Sequence, residues 1–239
     1  MRSLFIVVFF GSNAFASGNE FITCHVKSDN FQDCLNKAIE DGIKQLKNGS
    51  SYYNLAPLDP HSIPSMTVGS GSGIVHLEQN YEDIVVYGLT DLSVSNAQMN
   101  FETLILKYNT MCYNLTQTSY YDIKGKLMLL PVHGRGSCML TLKNVLVDHE
   151  LEFQLMEKSY YHPKSYKLKL HPEHAAYHFE NLFDGNKILG DNVNNVINQE
   201  WKAVFEDVGL GYEKAWAQVF LQYAIAIFQK IPANKFFIQ

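Results

Sequence analysis

The stretch "AWAQVFLQYAIAIFQ", Ala215–Gln229, contains no charged residue, and only Gln218, Gln222 and Gln229 are strongly polar. Tyr212, Trp216, Val219, Phe220, Tyr223, Ile227 and Ile231 fall at helical spacing, and Pro232 ends the run. The spacing predicts a helix that is apolar on most sides, and such a helix has to be covered. It is shorter than the roughly 20 apolar residues that cross a bilayer, so membrane insertion is not expected. In a chain that also carries long β-rich segments, the covering that fits is a sheet wrapped around the helix.

Working outward, Ile188, Leu189, Val193, Val196, Ile197, Trp201, Val204, Phe205 and Val208 repeat at the same spacing, and Gly209-Leu210-Gly211 is expected to break the helix. The polar stretch "NLFDGNKILGDNVNNVINQEW" (181–201) has the composition of a calcium loop but not its spacing. Counted from Asp184, Ile188, Leu189 and Asn195 occupy positions that need an oxygen donor, a glycine and a glutamate. "NLFDG" therefore reads as the exit from the sheet, with a helix from about Lys187. Its Asn and Asp residues form the solvated face, and Asp191 suits the helix dipole.

Between Gly73 and about Phe183 the pattern is β-rich with partial alternation, punctuated by Gly, Asn, Asp or Pro. Met111–Val132 reads as one long strand, and His133-Gly134-Arg135-Gly136 as the hairpin turn that follows it. Strands of that length imply a strongly twisted, curled antiparallel sheet. Ahead of it, Leu35, Ala38, Ile39, Gly42, Ile43 and Leu46 predict an amphipathic helix over 31–47, with Asn30 at its N-cap and Asn48-Gly49 as its stop. "APLDPHSIP" (56–64) is an extended, proline-punctuated segment. The fold class expected is α+β.

The N-terminus sets the compartment. Arg2, the apolar run Leu4 to Phe10 and the small-x-small Ala14-Phe15-Ala16 form a secretory signal peptide, 1–16. The mature chain, 17–239, reads as a single domain, with no linker, repeat or charge block dividing it. The formal charge of −5 becomes one unit more negative without Arg2, which argues against nucleic acid as a partner. Four cysteines in a secreted chain point to disulfides. Cys24 and Cys34 bracket a short polar loop and are expected to pair. Asn48-Gly49-Ser50 and Asn114-Leu115-Thr116 are candidate glycosylation sequons, the first in a loop and the second in a strand-like run.

Catalytic signatures fail in turn. "GSGSG" (69–73) places Gly71 where a nucleophile elbow needs serine, and Ile74 where a dinucleotide loop needs glycine. "HPEHAAYHFE" (171–180) offers His174, His178 and Glu180. On a strand the two histidines lie roughly 13 Å apart, too far to share an ion. The segment reads as a polar strand face. No enzyme activity, cofactor or metal is expected.

The ordered set of motifs resembles the takeout / juvenile-hormone-binding family of insects. The residues that carry the resemblance span the mature chain: Cys24 and Cys34 ahead of a helix, "GIKQL" (42–46), "APLDP" (56–60), "IVVYGLTDLSV" (84–94), "YYDIKGKLMLLPVHGRG" (120–136), "FENLFDGNKILGDNVNNVINQEW" (179–201) and the closing "IPANKFF" (231–237). The resemblance implies a long helix wrapped by a highly curved antiparallel sheet of the TULIP kind, around an elongated hydrophobic tunnel. It also implies a small hydrophobic ligand, such as a juvenile hormone, a fatty acid or a related terpenoid or prenyl lipid, with no catalysis.

The wall candidates are Ile39, Ile43, Val204, Phe205, Trp216, Phe220, Tyr223 and Ile227, for each of which plain core packing is the competing reading. The competing function is a secreted signalling protein that acts through a receptor or carrier partner without an obligatory lipid. A monomer is expected. Cys112 and Cys138 depart from the family pattern. An even cysteine count favours their pairing, whereas the strand reading separates them by roughly 60 Å against the ~7 Å that a bridge spans.

Overall fold

The computed structural model describes residues 21–69, 73–156 and 160–238. The predicted leader, 1–16, lies outside them, as do residues 70–72 of the "GSGSG" stretch. In chain order the elements are β1 (Cys24–His25), α1 (Phe31–Gln45), β2 (His61–Val68), β3 (Val75–Tyr87), β4 (Leu92–Asn100), β5 (Ile105–Leu127), β6 (Leu130–Met156), β7 (Tyr160–Phe179), α2 (Lys187–Gln199), α3 (Trp201–Phe228) and β8 (Phe237–Ile238). Neighbours in the large antiparallel sheet run β2-β3-β5-β6-β7, and β4 pairs with the first half of β5. α3, free of charge from Ala215 to its end, lies against the inner face, chiefly along β7. β1 and β8 pair in parallel and close one end, where the Cys24–Cys34 disulfide ties β1 to α1.

The β5–β6 hairpin turns at Met128–Leu129, and His133–Gly136 lies inside β6. The two glycines that imitate a turn serve a close approach instead. A Cβ on Gly136 would come within 2.5 Å of the Glu180 carbonyl oxygen, and one on Gly134 within 2.9 Å of the Leu182 Cα. This shift puts Cys138 opposite Ser119, so that it lies about 23 Å along the sheet from Cys112 rather than 60 Å. That still exceeds disulfide reach, and both are free, buried thiols.

The partial alternation of the strands has a structural cause. Buried positions on β5 are even-numbered up to Cys112 and odd-numbered from Gln117; β6 inverts in the same way between Leu142 and Val145, and β7 between Leu168 and Ala175. The inversions fall on one line, because Asn114 pairs with Lys143 and Lys143 with His174. Beside that line Asn144 takes a left-handed backbone, φ 46°, which asparagine tolerates better than most residues. A crease thus crosses three strands and exchanges their faces.

The helices differ from expectation in two places. α3 runs unbroken through Gly209-Leu210-Gly211, and the chain instead kinks at Glu200. Burial outweighs glycine's poor helix propensity here, and Gly211 is where α3 meets β2: a Cβ there would stand 2.8 Å from Val68 Cγ1. At the start of α1, Asn30 occupies the N-cap, but its side chain takes no helix N–H and accepts from the Ser28 hydroxyl instead.

The asparagines of α2 also need correction, since two of them are not solvated. Asn194 accepts from Phe179 N–H (2.9 Å) and donates to its carbonyl (2.9 Å). Asn198 does the same to Tyr177, at 2.9 and 2.7 Å. Four residues of helix rise about 6.0 Å and two of strand about 6.6 Å, so the carboxamides match the free edge of β7 and cap it at Tyr177 and Phe179. Asn186 accepts from Leu189 N–H as the N-cap of α2, while Asp191, Asn192 and Asn195 face solvent as expected.

Candidate functional site

Between α1, α3 and the inner face of the sheet lies a cavity of about 250 Å³. Along one wall it runs from Leu106 to Gln117 of β5, about 36 Å of strand. Along the opposite wall it runs from Phe205 to Phe228 of α3, about 35 Å of helix. The two rulers agree, so the space is long and narrow. Phe21, Ile22, Phe236 and Phe237 line the end beside the β1–β8 pair, and Ile22 is also exposed there. Among the described residues, no lining side chain is charged.

Of the eight wall candidates, Ile39, Ile43, Phe205, Trp216, Phe220, Tyr223 and Ile227 line this cavity. Val204 does not. It is buried, but it sits about 100° round the helix from Phe205 and packs in the core. The Tyr223 ring faces the cavity while its hydroxyl donates to the Ala56 carbonyl at 2.8 Å, anchoring the extended segment to α3. That segment is fastened a second time by the buried Asp59, which accepts from Gly88 N–H, Thr90 N–H and the Thr90 hydroxyl.

The sheet half of the wall was not among the candidates. It contributes apolar residues such as Leu140, Leu142, Val147 and Leu151, and a buried polar chain. Tyr108 and Tyr166 share a hydrogen bond of 2.5 Å, Tyr166 reaches His149 Nδ1 at 2.9 Å, and His149 Nε2 reaches Thr110 Oγ1 at 2.9 Å. Tyr108 also stacks flat on the His149 ring at 4.5 Å. Burial pushes His149 down to about 3, against the opposing charge of Asp148. Burial likewise pushes Tyr108 up to about 12, opposed by its bond to Tyr166. A neutral imidazole has one donor and one acceptor nitrogen, so the chain is satisfied without any net charge. The signal for it was present: Leu106, Tyr108, Thr110 and Cys112 alternate strictly in "LKYNTMC" and its approach.

The other sites weighed from the sequence lie elsewhere. His171, His174 and His178 are exposed on β7. His171 Nε2 sits 2.9 Å from Asp148 Oδ2, and the His174 ring packs edge-on to Trp201. No metal-holding group of three His, Cys, Asp or Glu occurs among the described residues. Among those residues, no helix is long and apolar enough to cross a membrane. Asn48 and Asn114 are both exposed. Cys112 lines the cavity, and burial pushes its thiol up to about 11.

The architecture matches the crystal structure of Epiphyas postvittana Takeout 1 with a TM-score of 0.83, at 20% identity, over 91% of this chain and 100% of that one. The circadian clock-controlled protein daywake of Drosophila melanogaster is 26% identical over 217 residues, covering 86% of this chain and 84% of daywake. Its Drosophila yakuba counterpart is 24% identical over the same span. Residues 4–238 match the haemolymph juvenile hormone binding protein (JHBP) family, a family of carriers for small hydrophobic ligands, and the chain belongs to it.

Proposed function

We propose that this protein is a secreted, non-enzymatic carrier that holds one elongated hydrophobic molecule, a juvenile hormone, fatty acid or related terpenoid or prenyl lipid, inside the cavity. The observation that supports this most is the uncharged lining, continuous from the Ile22 end to Gln117. An apolar void does not attract water. Left empty at about 24 cal/mol per Å³, a void of this size forgoes about 6 kcal/mol, comparable with the whole stability of many domains. A lipid chain recovers that energy and leaves water as it does so.

Secretion rests on the leader reading and agrees with the Cys24–Cys34 bridge. The carrier acts as a monomer through a single domain, 17–239, with Asn48 and Asn114 as candidate glycan sites. The rival reading, docking of a receptor or other protein, has one feature in its favour: the exposed Met128–Leu130 hairpin tip. That tip is small beside the cavity.

Trp216 lines the cavity and Trp201 does not. In a Trp201→Phe variant, fluorescence therefore reports from the wall alone. Titration with C14 to C18 lipids is expected to change Trp216 emission saturably, and native mass spectrometry is expected to show a one-to-one adduct. A protein that copurifies with no lipid and responds to none of those added is not a carrier.

A further inference from the structure

One polar side chain on the wall has no use for itself. Gln117 is 7% exposed and lines the cavity, yet among the described residues its carboxamide has no hydrogen-bond partner. Its neighbours explain why. On the inner face it lies between Val86 of β3 and Leu140 of β6, both apolar. The nearest hydroxyl along its own strand face, Ser119, is engaged with the Cys138 thiol at 3.1 Å. Apart from the Trp216 indole N–H, a lone donor that is likewise without a hydrogen-bond partner among the described residues, the other polar side chains on the wall are occupied: Tyr108, Tyr166, His149 and Thr110 by one another, Cys112 by Thr110, Tyr212 by Tyr81 and Tyr223 by the Ala56 carbonyl. Leaving a buried amide unpaired is costly, so most are paired. This one stands about 36 Å of strand from Leu106, at the end of the cavity away from Ile22.

We propose that Gln117 anchors an uncharged polar group, an ester, ketone or hydroxyl, carried at one end of an otherwise hydrocarbon ligand. The inference rests on the carrier reading and narrows it. A carboxamide both donates and accepts, so it serves a carbonyl and a hydroxyl alike. An ionised carboxylate would also find the amide N–H. It would then be buried with no Lys or Arg on the wall to balance it, and the one imidazole there is held neutral by its burial. The cavity therefore selects against fatty-acid anions and for neutral lipids with a single hydrogen-bonding end. The same chemistry makes Gln117 a specificity residue rather than an affinity residue, since the hydrocarbon chain supplies most of the transfer energy.

Displacement of N-phenyl-1-naphthylamine tests this with three competitors of equal chain length: tetradecane, tetradecyl acetate and tetradecanoate, at neutral pH. Wild type is expected to bind the acetate about tenfold more tightly than the alkane, and tetradecanoate most weakly. Gln117→Leu is expected to bind the alkane at least as well and to lose the tenfold preference. Its melting temperature should equal or exceed that of wild type, because an unpaired amide has been replaced by an apolar side chain of similar size. If Gln117→Leu keeps the preference, or if tetradecanoate binds as tightly as the acetate, the anchor is wrong while the carrier reading stands. If neither the dye nor any competitor binds, both fall together.

Discussion

Acid should destabilise this protein through His149, and the amount follows from its burial. The imidazole is held near 3 in the fold against 6.5 when exposed. Its folded value is depressed, so the unfolded chain binds a proton between about 6.5 and 3 that the folded chain refuses. The contribution is complete above pH 6.5 and is lost as pH falls towards 3, at about 1.4 kcal/mol per pH unit. Between pH 7 and pH 4.5 the loss is about 2.5 kcal/mol. Carboxylates also titrate in this range, so the measurement is a difference. Urea unfolding of wild type and of His149→Gln at both pH values isolates the imidazole, because glutamine can still reach Thr110 and Tyr166 but does not titrate. The variant is expected to lose about 2.5 kcal/mol less on acidification than wild type. Equal losses would refute the reasoning, as would a His149 NMR titration centred near 6.5. Either would mean that water reaches the chain Tyr108–Tyr166–His149–Thr110.

The remaining predictions concern the helices and the thiols. Gly209→Ala should raise stability by up to about 1 kcal/mol, since its Cβ would meet only the Phe205 ring at 3.4 Å. Gly211→Ala should lower stability despite the same gain in propensity, because Val68 on β2 has to move; thermal melts of the pair show opposite signs. Asn198→Ala removes both bonds to Tyr177 and one to the Asn194 carbonyl, and should cost about 2 kcal/mol. Hydrogen exchange should then accelerate at the Tyr177 amide while β5 and β6 stay protected. Thiol titration without reductant should find two free thiols in denaturant and none that react quickly in the native protein, because Cys112 and Cys138 are buried and burial raises both.

The helical half of the cavity could be read from the sequence because the signal there is redundant. A run from Ala215 to Gln229 without charge admits few placements other than under a sheet, and seven of the eight chosen residues stand on the wall. The sheet half was harder to read for a definite reason. Alternation predicts a face only while its phase holds, and the phase inverts across β5, β6 and β7. Gly134 and Gly136 misplaced the hairpin because glycine marks either a turn or a close approach, and only the position of Glu180 and Leu182 separates the two. Asn194 and Asn198 look like solvated residues because their partners are backbone groups on a strand edge, which leave no trace in composition. Gln117 had no signal of its own, since its character comes from what its neighbours lack.

The crease through Asn114, Lys143 and His174 also constrains how such a molecule can change. A residue inserted or deleted near that line in one strand would turn half of that strand inside out against two neighbours that keep their phase. Length variation is therefore tolerated at the hairpin tips and penalised in the middle, unless three distant segments of the chain change together. Relatives that hold longer or shorter ligands would be expected to differ in which side chains block the passage, with the number of residues between its ends unchanged.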